Sequence, residues 1–193
     1  MRHTIFFLVL LCSLMNVRAA DLFPTDTLTF RFALHGQTRT YDMLATAEPD
    51  GVTLHWSMLR HGVMLRGAYI METESLTSGS TLCLMQPENG ISIRVPNTQT
   101  AFVLSRKALE ELHLTGHMTY GNTRYELVDS IPCANGLPSL HVTDKTEGCD
   151  MWIVDSARLP VIWKMKNNPL EIDWLIINVE KAFAGKDRRM QKQ

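Results

Sequence analysis

Residues 140–179 read LHVTDKTEGCDMWIVDSARLPVIWKMKNNPLEIDWLIINV. Leu140 and Val142 alternate with His141 and Thr143, and the turn Thr146-Glu147-Gly148 leads to a second run, Met151 to Asp155. Ser156 to Pro160 turns the chain again. Val161, Trp163 and Met165 then alternate with Ile162, Lys164 and Lys166. Asn167-Asn168-Pro169 makes the last turn, before Ile172, Trp174 and Ile176 take one face against Asp173. A side-chain period of two, broken by Gly, Pro and Asn, predicts an antiparallel meander of four strands with one buried side.

The same period runs back toward the start of the chain. Leu28, Phe30, Phe32 and Leu34 alternate with Thr27, Thr29, Arg31 and Ala33, and His35-Gly36-Gln37 turns the chain. Tyr41 to Ala47 returns, and Glu48-Pro49-Asp50-Gly51 is a strong turn signal. Val52, Leu54, Trp56 and Met58 form the next apolar face. Val63 to Met71 follows the turn at His61-Gly62, with Gly67 suggesting a bulge or bend. Polar Thr73 to Ser80 reads as a loop. Thr81 to Met85, Ile91 to Val95 and Thr100 to Leu104 read as short strands. Ser105 caps the one expected helix, Arg106 to Leu114, whose apolar stripe is Ala108, Leu109 and Leu112 and whose stop is Gly116. His117 to Tyr120 and Thr123 to Val128 make a hairpin across Gly121-Asn122, and Pro132 to Pro138 is a loop. About a dozen strands without βαβ alternation predict an all-β, mainly antiparallel fold with one short helix. A curved sheet forming a half-open β-barrel satisfies this, as does the alternative, a β-sandwich.

The chain begins Met1-Arg2-His3, continues almost wholly apolar from Thr4 to Met15, and then places Val17-Arg18-Ala19 where a leader is cut. This predicts a signal peptide over residues 1–19, a single β domain over 20–180 and a basic tail over 181–193. The apolar run falls short of the roughly 20 residues a spanning helix needs, and no later run reaches that length. We therefore expect an exported protein, periplasmic or extracellular, with no transmembrane segment once the leader is removed. The formal net charge of the whole chain is −1. The leader holds two arginines and no acid, so the mature chain is more acidic still. That balance argues against a nucleic-acid partner. The tail, Lys181 to Gln193, carries five basic residues and one acid and reads as a solvated end.

Export permits disulfides. Cys133 and Cys149 flank the strand at Leu140 and are a possible pair, while Cys83 reads as a small core residue. No catalytic motif emerges. His113 and His117 stand four apart, but Gly116 interrupts the helix between them. Asp144, Glu147 and Asp150 gather around Gly148 without the spacing of a calcium loop. Ser78-Gly79-Ser80 lacks the flanks of a nucleophile elbow. The expectation is a non-enzyme without cofactor or metal. Phe30, Phe32, Trp56, Met58, Trp163, Met165 and Trp174 all fall on apolar strand faces. They are either core or the lining of a cavity for an acyl chain or other apolar ligand. Eleven methionines in the chain would make such a lining adaptable.

From Gly121 onward, the strand pair followed by Asp150-Met151-Trp152-Ile153-Val154-Asp155 and Leu159-Pro160-Val161-Ile162-Trp163-Lys164 resembles the end of exported β proteins of the half-barrel type. The arrangement is similar to that of the periplasmic lipoprotein carriers LolA and LolB. The resemblance implies a half-open barrel and an apolar ligand, with no site residue carried over. Those carriers use several helices to plug the cavity, where this sequence offers one. The expected function is thus a periplasmic or cell-envelope carrier for a lipid, lipoprotein or other apolar molecule. The alternative is a structural or protein-interaction domain of the envelope with no small-molecule ligand.

Overall fold

The computed structural model describes residues 26–133 and 136–181. The signal peptide and all of the basic tail except Lys181 lie outside them. Four long strands open the fold: β1 (Thr27–Leu34), β2 (Gln37–Glu48), β3 (Gly51–Arg60) and β4 (Val63–Glu72). A short helix, α1 (Thr73–Ser78), precedes three brief strands, β5 (Thr81–Leu82), β6 (Ser92–Arg94) and β7 (Gln99–Thr100). Helix α2 (Arg106–Thr115) leads into β8 (His117–Tyr120), β9 (Thr123–Asp129), β10 (Ser139–Thr143), β11 (Asp150–Val154), β12 (Ile162–Lys166) and β13 (Ile172–Glu180).

Eleven strands form one sheet in the order β6-β4-β3-β2-β1-β13-β12-β11-β10-β9-β8, and β5 pairs with β7 in parallel. The fold is two antiparallel meanders joined where β1 pairs β13. Within the eleven-stranded sheet, β6, parallel to β4, is the one departure from the antiparallel pattern. A single sheet of eleven strands is not the β-sandwich alternative, which needs two packed sheets. The sheet does not close into a barrel, since β6 and β8 at its ends are not paired. It is nonetheless curled. On a flat sheet β4 and β13, four strand steps apart, would be separated by roughly 19 Å. Yet the ring of Phe102 touches both Tyr69 of β4, at 5.4 Å between centroids, and Trp174 of β13, at 5.6 Å.

The predicted period holds in the long strands. Phe30 pairs with Tyr41 and with Ile176, and Met43 pairs with Trp56, which places all five on the inner face. That face feeds one core cluster running from Leu28 to Ile176, with α2 contributing Ala108, Leu109 and Leu112. The hydroxyl of Ser105 accepts from the N–H of Ala108 at the start of α2, and Gly116 ends the helix at φ 72°, as expected.

Several local expectations change, and the strands expected over Thr81 to Met85 and Thr100 to Leu104 shrink to Thr81–Leu82 and Gln99–Thr100. Thr73 to Ser80 is not all loop: residues 73–78 form α1, so the described residues hold two helices. The hydroxyls of Thr77 and Ser78 donate back to the carbonyls of Thr73 and Glu74, and buried Ser75 donates to the carbonyl of Gln99. Gly67 makes no bulge, because β3 and β4 stay in register along their whole length. In β12 the strict alternation fails. Trp152 pairs Lys164 but Ile153 pairs Ile162, so Trp163 is an extra, bulged residue and Ile162 is buried beside it. Finally, Cys133 and Cys149 are free thiols. Cys133 sits at the Ser139 end of β10, where its N–H donates to the Leu137 carbonyl, and Cys149 at the Asp144 end. The strand between them holds them roughly 13 Å apart, against the 7 Å that a disulfide tolerates between Cα atoms.

Candidate binding site

Residues 83–104 form a strap: its middle, residues 91–95, runs along the edge of β4, while Leu84 to Pro87 and Phe102 pack against the inner face. Its far end is pinned to the second meander: the N–H of Ile162 donates to the Phe102 carbonyl at 2.8 Å, and the N–H of Leu104 donates to the Pro160 carbonyl at 2.9 Å. These bonds set Phe102 in a backbone conformation with φ 60°. For a bulky side chain this is a genuine outlier, held only where neighbours over-determine it. Its ring enters an aromatic cluster of the first meander and β13. It packs against Phe30 at 5.5 Å, Phe32 at 5.7 Å, Tyr69 and Trp174. Tyr41 extends the cluster from Phe32 to Trp56.

Between this aromatic floor and the near part of the strap lies a cavity of about 30 Å³. Its walls are Phe32, Leu34, Tyr41, Met43, Tyr69, Phe102 and Ile172, and its roof is Leu84-Met85-Gln86-Pro87. That is room for about two waters, so the cavity is too small for an acyl chain as it stands. One hydrogen bond joins the roof to the sheet among the described residues: the Tyr69 hydroxyl donates to the Met85 carbonyl at 2.7 Å. Burial, then the nearby Cys83 and Tyr41, push the Tyr69 phenol well above its ordinary pKa, so it stays a donor. Met85 and Gln86 are exposed on the roof's outer side.

The residues expected to line a cavity are divided by the fold. Phe32 lines it. Phe30 and Trp174 belong to its floor through the ring contacts, and Trp56 lies one ring further along, its indole N–H buried without an acceptor among the described residues. Met165 pairs Trp174 across the strands and receives a contact from Asn168 on its sulfur. Trp163 is buried at the bulge in β12. Met58, half-buried, stands at the edge of the inner face. Tyr41, Tyr69, Phe102 and the roof escaped the sequence reading. Two of them are tyrosines on expected strands, β2 and β4. Phe102 carried no signal, because its role depends on where the strap packs.

The other polar groupings are self-contained. His113 bonds Asp155 at 3.0 Å on the exposed end of α2, and among the described residues no Ser or Cys is bonded to either nitrogen. Asp144 spends both carboxylate oxygens on the N–H groups of Thr146 and Glu147, which explains the acidic turn without a cation. On the outer face, His141 lies between Asp129 and Asp150 and stacks on Trp152, whose ring also carries the Lys164 ammonium at 3.8 Å. Among the described residues no group of three His, Cys, Asp or Glu is placed to hold a metal ion, and no helix is long and apolar enough to cross a membrane. Comparison with protein-family models, curated proteins and solved structures returned no match.

Proposed function

We propose that this protein is an exported, non-catalytic carrier that holds an apolar molecule, such as a lipid or acyl chain, on the inner face of its curled sheet. The observation that carries the reading is the roof. Leu84 to Pro87 covers an apolar, aromatic-floored cavity and is tied to the sheet, among the described residues, by one hydrogen bond, Tyr69 to Met85. Lifting it would expose Phe32, Tyr41, Met43, Tyr69 and Phe102 without breaking any strand pairing. The cost is small against the gain of roughly 0.8 kcal/mol per buried CH₂ of a chain that enters. Methionines at the roof and wall suit a site that must repack around its guest. The sequence motifs in which the last third of the chain resembles the LolA and LolB carriers, Asp150 to Asp155 and Leu159 to Lys164, would fit this reading, as would the predicted leader.

Native mass spectrometry on protein secreted to the periplasm and purified without detergent tests this. We expect a bound mass of several hundred daltons that organic solvent removes. A Tyr69→Phe variant, which frees the roof, should take up an apolar fluorescent probe severalfold faster with an unchanged circular dichroism spectrum. A bare polypeptide mass that stays bare after incubation with lipid extract, together with equal uptake by both forms, would end the carrier reading. It would favour instead an envelope interaction domain. Leu59, Val63 and Met64, exposed together at the β3–β4 tip, would then be the docking surface.

A further inference from the structure

We infer that the mouth of the cavity holds an anion site built by Arg39 and Arg60, and that the guest is therefore an anionic amphiphile: one phosphate or carboxylate head on an apolar chain. This deepens the carrier reading and rests on it.

Register places both arginines. Arg39 pairs with Phe32 across β1 and β2, so it shares the inner face with the cavity wall. Arg60 pairs with Val63 and lies two residues beyond Met58, hence on the inner face of β3. The ladder between β2 and β3 ends at Asp42–Ser57. Beyond that pair the two strands part. Residues 37–40 remain bonded to β1, and residues 58–60 to β4. The parting opens a hollow of about 390 Å³ whose walls include Gln37, Thr38, Arg39, Thr40, Met58 and Arg60.

Two guanidinium groups and the Gln37 side chain lie on the inner side of this hollow, Thr38, Thr40, Met58 and Leu59 complete its lining, and no acid lines it. Arg39 donates to the Gln37 carboxamide at 3.2 Å. Neither arginine is paired with a carboxylate among the described residues. Elsewhere Arg94, Lys145 and Lys181 each have one, in Glu72, Glu126 and Asp26. Asp42, the nearest acid on β2, faces outward and accepts from Thr29. Two like charges around one hollow raise the local potential, and an entering anion lowers it. Guanidinium groups present the forked donors that match phosphate and carboxylate oxygens.

The anion site and the cavity adjoin. Tyr41, two residues from Arg39 on the same face, lines the cavity, and successive same-face residues on a strand are about 7 Å apart. A head bound between the arginines thus places the first carbons of its chain against Tyr41 and Phe32. A cationic or neutral head gains nothing there.

Calorimetric titration of the secreted full chain tests the assignment. The probes are decyl phosphate, decyl glucoside and decyltrimethylammonium below their micelle-forming concentrations, and inorganic phosphate. We expect decyl phosphate to bind at least tenfold more tightly than decyl glucoside at low salt, with the preference shrinking in 0.5 M salt, as a salt-screened ion pair should behave. The variant R39Q/R60Q should erase that preference and leave decyl glucoside affinity unchanged, while Arg39→Lys, which keeps the charge, should retain part of it. Equal binding of the phosphate and glucoside, or a preference that survives in R39Q/R60Q, would overturn the anion site and leave the carrier reading standing. Inorganic phosphate binding as tightly as decyl phosphate would reduce the site to one for a free anion and overturn the amphiphile. No binding of any alkyl probe would overturn both.

Discussion

Phe102 sets two residue-scale effects against each other. Its φ of 60° costs about 1–2 kcal/mol for a residue with a Cβ. Its buried ring, in contact with four other aromatic rings, contributes more than that, since Phe→Ala in a core costs about 3–5 kcal/mol. Both Phe102→Ala and Phe102→Gly should therefore destabilise. Their order, though, is decided by the backbone. Glycine removes the left-handed penalty that alanine retains, so Phe102→Gly should be the more stable of the two by about 1 kcal/mol, although it leaves the larger void. Urea unfolding of the pair measures this. Alanine proving the more stable would mean that the strap relaxes out of the left-handed region once the ring is gone.

At the scale of elements, the β3–β4 hairpin depends on a missing side chain. A Cβ on Gly67 would lie 2.4 Å from the Ile91 carbonyl oxygen and 2.8 Å from the indole of Trp56, its register partner. The indole fills the space that any other residue would occupy, and the strap's return at Ile91 closes over both, its carbonyl accepting from the Ala68 N–H. Neither neighbour can move cheaply, one being backbone and the other a buried aromatic. Gly67→Ala should thus cost about 2 kcal/mol, the range found for overpacked cores. A midpoint of urea unfolding equal to that of the parent chain would show that the hairpin accommodates the methyl group and would refute this account. A lone glycine in a strand signals that something stands close; the sequence does not say whether it is a bulge, a backbone or, as here, a tryptophan across the ladder.

The molecule as a whole buries several weak acids in their neutral forms. Burial pushes the hydroxyls of Tyr69, Tyr120 and Tyr125 above the ordinary tyrosine range, and the Cys149 thiol, beside Tyr125, up to about 11. Each is uncharged when protonated, so the folded chain holds these protons more tightly than the unfolded chain. Their contribution to stability is therefore complete below the unfolded-state values, near 8.5 for Cys and 10 for Tyr, and is lost as pH rises through the folded ones. The urea midpoint should hold between pH 7 and 8 and fall steadily above about pH 9. Cys149→Ala should flatten the first part of that fall, between about pH 9 and pH 11. A midpoint that stays level to pH 11 would contradict the burial of these groups.

Alone, the sequence determined which residues face the core in the long strands, where the turns fall, and the start and stop of α2. Those are local matters: a period of two, glycine at positive φ and a serine at a helix start act over a few residues. Phe30, Phe32, Trp56 and Trp174 were legible as buried for that reason. Whether they formed solid core or the floor of a cavity was not, because that turns on what covers them. Tertiary structure alone decided that the two meanders meet at β1 and β13, that the sheet curls without closing, and that the strap drives Phe102 into its concave side. Helix α1 and the bulge at Trp163 belong to the same class. The first exists because Ser75 finds the Gln99 carbonyl, 24 positions away. The second places the Ile162 carbonyl where it accepts from the Trp174 indole. The pairing of Arg39 with the cavity wall is likewise a matter of register between strands, and long-range register is what a period of two leaves open.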